Sequence, residues 1–393
     1  MTPDSGAAPP AAGAPLAGVR ILDLSRILAG PYASMMLADL GAEVIKIEPP
    51  GGDDTRTWGP PFGGGEAAYF LAVNRGKKSV VLNLKTEEGS QALAGLIATS
   101  DVLVENFRPG TLARLGFAPE DVQRRHPRLI WCSVSAYGQY GPLSSKPGYD
   151  AVMQGEAGWM GLTGPPEGPP TKLGASLADI CAGMMASSGV LAALFARERD
   201  GRGRRVDVAL FDSVVATLCY QAQGYLLTGE EPVRSGNNHP SLTPYESFEA
   251  DDGHVIVAVG NDTLWKRFCA VAAPELDRPE FEKNPDRVRR RPGLRALLEP
   301  VFRSRGVADW ERVLDEAGIP VGRVRSVAEI LNSPQLKARG MVVDREHPVI
   351  GSLRLVGNPI QFDGQNHTAA GPPPLRGEHT DEVLDSAGPV SRG

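Results

Sequence analysis

Residues 19–48 read VRILDLSRILAGPYASMMLADLGAEVIKIE, and this stretch decides the fold class. The apolar run at 19–24 has the length of a strand. Residues 31–40 are spaced as a short helix, and Gly41 stops it because glycine accepts the left-handed turn that ends helices. Residues 43–48 (EVIKIE) then form a second strand. The alternation continues, with strand signals at 79–84 (SVVLNL), 101–105 (DVLVE) and 129–134 (LIWCSV) and a helix expected over 87–99. Strands alternating with helices at this spacing predict an α/β domain with a mostly parallel, doubly wound, Rossmann-like sheet. Ligands of such sheets sit beyond the carboxyl ends of the strands, where the loops here are rich in Gly, Pro and charge. No G-x-G-x-x-G follows the first strand and no Walker loop occurs, so neither a dinucleotide nor an NTP site is expected.

Further along, residues 175–213 read ASLADICAGMMASSGVLAALFARERDGRGRRVDVALFDS. They predict a long small-residue helix, a basic turn whose cations suit the helix C-terminal dipole, and a strand at VDVAL. Asp179 stands at the mouth of that helix. An aspartate before an apolar helix is a favoured N-cap, and the positive field of the helix start would keep it ionised. From 234 the texture changes to a polar loop, strands at 246–250 and 254–259, and helices through 317. A strand-rich tail follows over 342–362. The expected division is a disordered tail at 1–17, a large domain at 18–205, a linker at 206–233, a small domain at 234–325 and a return to the large domain at 326–393.

A length of 393 residues fits two domains. A net charge of −6 argues against a general nucleic-acid binder but permits a local basic pocket. The longest apolar stretch, around 184–195, falls short of a membrane span. The four cysteines are far apart, without metal-ligand spacing, and the Ala/Pro/Gly-rich start lacks the basic residues of a targeting signal. The expectation is a cytoplasmic protein with free thiols.

Several segments together resemble the family III CoA-transferases, also called the CaiB/BaiF or formyl-CoA transferase family. They include LAGVRILDLSRILAGPYASMMLADLGAEVIKIEPP, NRGKKSVVLNLK, DVLVENFRPGTLARLG, KPGYDAV, the Asp179 segment, DGHVIVAVGND and PPPLRGEHT, and they run nearly end to end. GDDTRTWGPPF and HPSLTPYESF look most like the branch that handles dicarboxylates, typified by succinyl-CoA:glutarate CoA-transferase. The resemblance implies a large Rossmann-like domain built from both chain ends, a small central α/β domain, and a homodimer of interlinked rings. It also implies acyl-CoA and a carboxylic acid as substrates, with no metal and no redox cofactor.

On this resemblance Asp179 corresponds to the catalytic aspartate, which would form an aspartyl anhydride and then an aspartyl-CoA thioester. Tyr149-Asp150 falls where the racemases of the family carry His-Asp. With Tyr149 there, an α-methylacyl-CoA racemase loses one of its two acid/base groups, and Asp150 becomes a second candidate, although a turn or cap role suits it equally. His239, in a loop with one glycine, is a candidate oxyanion partner or a solvated loop histidine. The phosphates of CoA call for cations on loops. Arg108 and Arg114 match the CoA-contact segment, Asn106, Phe107 and Lys146 match similar positions, and Arg26, Ile27, Leu28 and Ala29 correspond to a segment touching CoA and the acyl group. Leu28 stands where the formyl-CoA enzyme has a polar residue. Arg75, Lys77 and Lys78 would reach phosphate or form a solvated basic turn, and Arg56 would meet the far carboxylate of a dicarboxylate. The alternatives to a transferase are the racemase and a CoA-binding relative without chemistry.

Overall fold

The computed structural model describes residues 13–387. The chain forms two compact units, a large one from residues up to 159, 173–229 and 334 onward, and a small one from 160–172 and 230–333. In the large unit six strands make one sheet. They are β1 (Arg20–Asp23), β2 (Glu43–Glu48), β3 (Lys77–Val81), β4 (Val102–Glu105), β5 (Ile130–Ser135) and β6 (Arg205–Ala209). All pairs are parallel and the order is β3-β2-β1-β4-β5-β6. This is the doubly wound arrangement, and the order reverses between β1 and β4.

Alternate side chains on each strand face opposite layers, so both faces must be covered. Ile21, Val44, Val102, Val104, Ile130 and Cys132 pack with α1 (Ala29–Asp39) on one face. Leu22, Ile45, Val80, Leu103 and Trp131 pack on the other face with α2 (Glu87–Ala98) and with Leu112 of the short α3 (Thr111–Arg114). Burying each such side chain stabilises the fold by about 1.5–3 kcal/mol.

The first face also carries α4 (Asp150–Glu156), α5 (Leu177–Asp200) and α6 (Leu210–Thr217), and α7 (Tyr220–Thr228), which follows, buries none of its residues. α5 ends at Gly201 in the left-handed conformation (φ 73°), with the Gly201 N–H donating to the Arg197 carbonyl at 2.8 Å. α5 is long and apolar enough to cross a membrane, contrary to the expectation of no such run, but more than half of its most apolar part is buried in the fold. Its small residues let it lie close on α1. A Cβ on Gly183 would stand 2.7 Å from the Ala29 carbonyl oxygen and 3.1 Å from the Tyr32 ring. Gly183→Ala is therefore expected to destabilise the large unit by about 1–3 kcal/mol despite alanine's better helix propensity, a shift that thermal melting resolves.

Two boundaries differ from expectation. Residues 206–233 are not a linker through most of their length, because β6 pairs with β5 and α6 contributes Leu210 and Val214 to the core. Of the expected tail, residues 1–12 lie outside the described residues. Residues 13–17 pack, since Leu16 is buried and its N–H donates to the Leu40 carbonyl at 2.8 Å.

In the small unit β7 (Tyr245–Ala250), β8 (Gly253–Ala258) and β9 (Val321–Arg323) form an antiparallel sheet. Trp265, Phe268, Phe302 and Trp310, from α8 (Asp262–Ala272), α9 (Arg291–Arg303) and α10 (Val307–Glu316), are fully buried against it. Back in the large unit, β10 (Val342–His347) and β11 (Gly351–Val356) form a hairpin. α11 (Thr380–Ala387) then closes the edge at β3, where the His379 N–H donates to the Ser79 carbonyl at 2.9 Å and Val383 enters the core.

Candidate active site

Where the strand order reverses, the segments leaving β1 and β4 open a crevice. The Asn106 side chain clamps Arg26 there, its Oδ1 accepting the Arg26 N–H at 2.8 Å and its Nδ2 donating to the Arg26 carbonyl at 2.7 Å. The Arg26 guanidinium pairs with Asp54 at 3.1 Å and lies 5.9 Å from the Phe107 ring centre. Beside it is a cavity of about 390 Å³ whose walls include Leu24, Pro49, Pro50, Leu84 and Phe107, with Arg26, Lys85 and Arg114 among its lining. Arg114 is exposed and donates to the Thr111 hydroxyl at 3.0 Å. Arg108 and Lys85 are exposed, and their side chains pair with nothing among the described residues. An apolar slot lined also by cations suits a flat heterocycle carrying phosphates.

Asp179 lies one layer away, in the first turn of α5. It is not the cap: Ser176 holds that position and makes no side-chain cap bond. The helix N-terminus is served instead by Asp150, 29 residues earlier, whose Oδ1 accepts the Ala178 N–H at 2.8 Å. Its Oδ2 accepts from Gln154 at 2.7 Å, which leaves Asp150 anchored between α4 and α5. Asp179 is 8% exposed and its carboxylate makes no hydrogen bond or ion pair among the described residues. Burial, with the Asp150 charge added, pushes its pKa up from the ordinary carboxylate range to about 7. Desolvation disfavours the charged form, so the sequence-based expectation of a firmly ionised group gives way to one only partly ionised near neutral pH. Ile180, its neighbour, packs on the small buried cluster of Leu28, Met35 and Val73, which Ile27, Tyr32 and Tyr69 also flank. Tyr69 feels the charges of Asp179, Asp150 and Asp53 and is pushed up first by burial and then by Asp179.

Four expected cations are paired within the protein. Arg75 is buried and doubly paired with Asp39, at 2.9 Å and 2.5 Å, so it does not face a phosphate. Arg56 pairs with Glu48 and Glu66 and stacks 3.6 Å from the Phe70 ring centre, so its charge is already matched within the protein. Lys146 pairs with Glu156 at 2.5 Å. Lys77, too, is buried on Asp23 rather than solvated. His239 belongs to the small unit. Its ring stacks on Tyr245 at 5.0 Å and its Nδ1 accepts the Ser241 N–H at 3.1 Å. Burial and then Arg291 push its pKa down. Lys85, Pro49 and Pro50 were not singled out from sequence, although their place just after β3 and β2 would have located them by the switch-point rule.

The sequence model of CoA-transferase family III matches residues 16–380. The chain belongs to that family. Human succinyl-CoA:glutarate CoA-transferase is 40% identical over 94% of this chain and 85% of its own length. Acetyl-CoA:oxalate CoA-transferase of Acetobacter aceti is 43% identical over 92% of this chain and 93% of its own. A CaiB/BaiF family protein from Brucella suis shares the fold with a TM-score of 0.85 and 39% identity, over 95% of this chain and 99% of that one. The α/β fold with its large parallel sheet is therefore that of the CaiB/BaiF structures, and the protein is a CoA-transferase.

In this CoA-transferase the raised Asp179 pKa ties stability to pH. Between the ordinary value of 3.8 and about 7 the folded chain keeps a proton that the unfolded chain has released. Stability therefore falls as pH rises through that window. Asp179→Asn removes the burden and is expected to be the more stable protein at pH 8, by on the order of 2–4 kcal/mol, with the gain gone at pH 4. Denaturant midpoints at the two pH values check this, and a gain equal at both would contradict it.

Proposed function

We propose that the chain moves CoA from an acyl-CoA donor of succinyl type to a free dicarboxylic acid, with Asp179 as the covalent relay. The observation that carries this reading is a buried, unpaired carboxylate at a helix start, beside the segment that runs to the apolar, cation-lined cavity. The Asp179 carboxylate attacks the thioester carbonyl and the C–S bond breaks, giving a mixed anhydride and CoA thiolate. The thiolate then attacks the aspartyl carbonyl, releasing the donor acid and leaving an aspartyl-CoA thioester. The acceptor carboxylate attacks this thioester, and the same two steps run in reverse to give the new acyl-CoA and free Asp179. A carboxylate suits the role because it exchanges acyl activation with another carboxylate at nearly equal energy. Burial leaves Asp179 poorly solvated, so attack costs little desolvation.

The cavity would take the adenine, and Arg114, Lys85 and Arg108 the phosphates. Lys85→Ala is then expected to raise KM for acyl-CoA roughly 5- to 30-fold with kcat unchanged, since a phosphate contact far from the thioester is uniform binding. Relatives at similar identity are named for glutarate and for oxalate, acids that share two carboxylates and differ in length, which supports a dicarboxylic acceptor. Four unpaired thiols accord with a cytoplasmic protein. Exposed Leu226 (75%) and Leu227 (80%) on α7 support a homodimer, and light scattering tests it.

Intact-protein mass spectrometry after mixing with succinyl-CoA, then hydroxylamine, tests the chemistry. A CoA adduct or hydroxamate on Asp179 supports the relay. An unmodified Asp179 with a panel of acyl-CoAs overturns it.

A further inference from the structure

The segment that links the cavity to the Asp179 helix is held by side chains at each residue. Asp23 Oδ1 accepts the Ser25 N–H at 2.9 Å, and Lys46 Nζ donates to the Ser25 carbonyl at 2.9 Å. Asn106 takes both backbone groups of Arg26. Asp53 accepts the Ile27 N–H, with each carboxylate oxygen 3.3 Å from the nitrogen. Asp53 is itself fixed by Lys46 at 2.8 Å and by the Thr55 hydroxyl at 2.7 Å, and its side chain is buried. Ile27 has φ 71°, a left-handed conformation that a β-branched residue adopts only under constraint. One residue before it, Arg26 lines the cavity. One residue after it, Leu28 belongs to the buried cluster on which Ile180, the neighbour of Asp179, packs.

We propose that Asp53 is a positioning residue for the transfer reaction: by holding Ile27 in its left-handed turn it fixes the offset between the bound nucleotide and the Asp179 carboxylate. Asp53 touches no substrate. It acts through the Ile27 backbone, and Lys46 couples that hold to the neighbouring Ser25 carbonyl. A thioester anchored at the cavity reaches Asp179 only in the register this turn sets, and a misplacement of about 1 Å at a reacting centre costs on the order of 100-fold in rate. Nucleotide binding, set by the cavity itself, is left alone. The inference rests on Asp179 being the covalent relay.

The full chain is tested as wild type, Asp53→Asn, Ile27→Gly and the double variant. The readouts are kcat, KM for succinyl-CoA, the CoA dissociation constant and the single-turnover rate of hydroxylamine-trappable adduct on Asp179. Asp53→Asn keeps one acceptor but turns an amide N–H toward Lys46. It is expected to slow adduct formation and kcat roughly 10- to 100-fold, with the CoA dissociation constant within about 3-fold. The double variant is expected to be no slower than the slower single variant, because both changes release the same backbone turn. A merely structural role would lower the folded fraction and leave the rate per trapped site unchanged, and that result overturns the proposal. Multiplying effects in the double variant also overturn it. If Asp53→Asn does not fold, Thr55→Val removes one of the bonds holding Asp53. A kcat loss of roughly 3- to 10-fold at constant CoA affinity then supports the proposal, and an unchanged kcat overturns it. Absence of adduct in the wild type would instead be a failure of the relay, distinguishable because it precedes any effect of Asp53.

Discussion

Asp179→Asn is expected to lower CoA transfer by roughly 10,000-fold or more while CoA still binds within about 3-fold. An amide occupies the same volume beside Asp150 but cannot attack a thioester or carry an acyl group as an anhydride. No other described carboxylate takes its place. Asp150 has both oxygens engaged, one by the Ala178 N–H and one by Gln154. The measurement is steady-state transfer from succinyl-CoA alongside hydroxamate mapping by mass spectrometry. Transfer within 10-fold of wild type would exclude Asp179 as the relay, whatever its pKa.

Lys77→Met is expected to destabilise the large unit by about 3–5 kcal/mol, because it strands a buried carboxylate. Lys77 and Asp23 are both inaccessible to solvent and lie 3.1 Å apart beneath the reactive crevice. Burial alone would raise the Asp23 pKa, but Lys77, Lys46 and the hydroxyls of Ser25 and Ser34 outweigh it and hold the pKa at about 2. Burial lowers the Lys77 pKa to about 8, against the pull of Asp23, so both groups are charged at neutral pH. Removing the ammonium leaves Asp23 to be neutralised or hydrated in a closed core. Adding Asp23→Asn to Lys77→Met is expected to recover at least half the loss, since no charge then needs a partner. Denaturant midpoints for the two single variants and the double settle the matter, and a Lys77→Met cost under about 1 kcal/mol would contradict it.

The parallel sheet was legible because its strands are apolar runs separated by turn residues. Their order was not, since β4 follows β3 in the chain but pairs with β1, a choice made by the packing of helices on both faces. Asp179 was identified by resemblance to a family, while its setting was hidden: Asp150 reaches it only through the packing of α4 on α5. The cations misled for a consistent reason. Arg75 and Lys77 sit in a stretch that reads as a phosphate-binding or solvated basic turn and Arg56 in one that reads as a partner for a substrate carboxylate, yet each side chain is buried on an acid from another element. Burial of a charge depends on its partner, and Asp39 is 36 residues from Arg75. Leu16 was lost in an Ala/Pro/Gly-rich context that hides a single core side chain.

The sheet is complete at Ala209, well before the chain reaches α11 at Thr380. On the ribosome, where chains grow at roughly 5–20 residues per second, the stretch between them takes about 9–34 s to emerge. All six strands and α5 are therefore available to assemble before the small unit exists. α11, which closes the edge at β3, arrives only after the small unit. During that interval the nascent chain carries an open parallel edge, and the half-buried Lys78 of β3 is a charge that disfavours pairing there with a neighbouring chain on the same message.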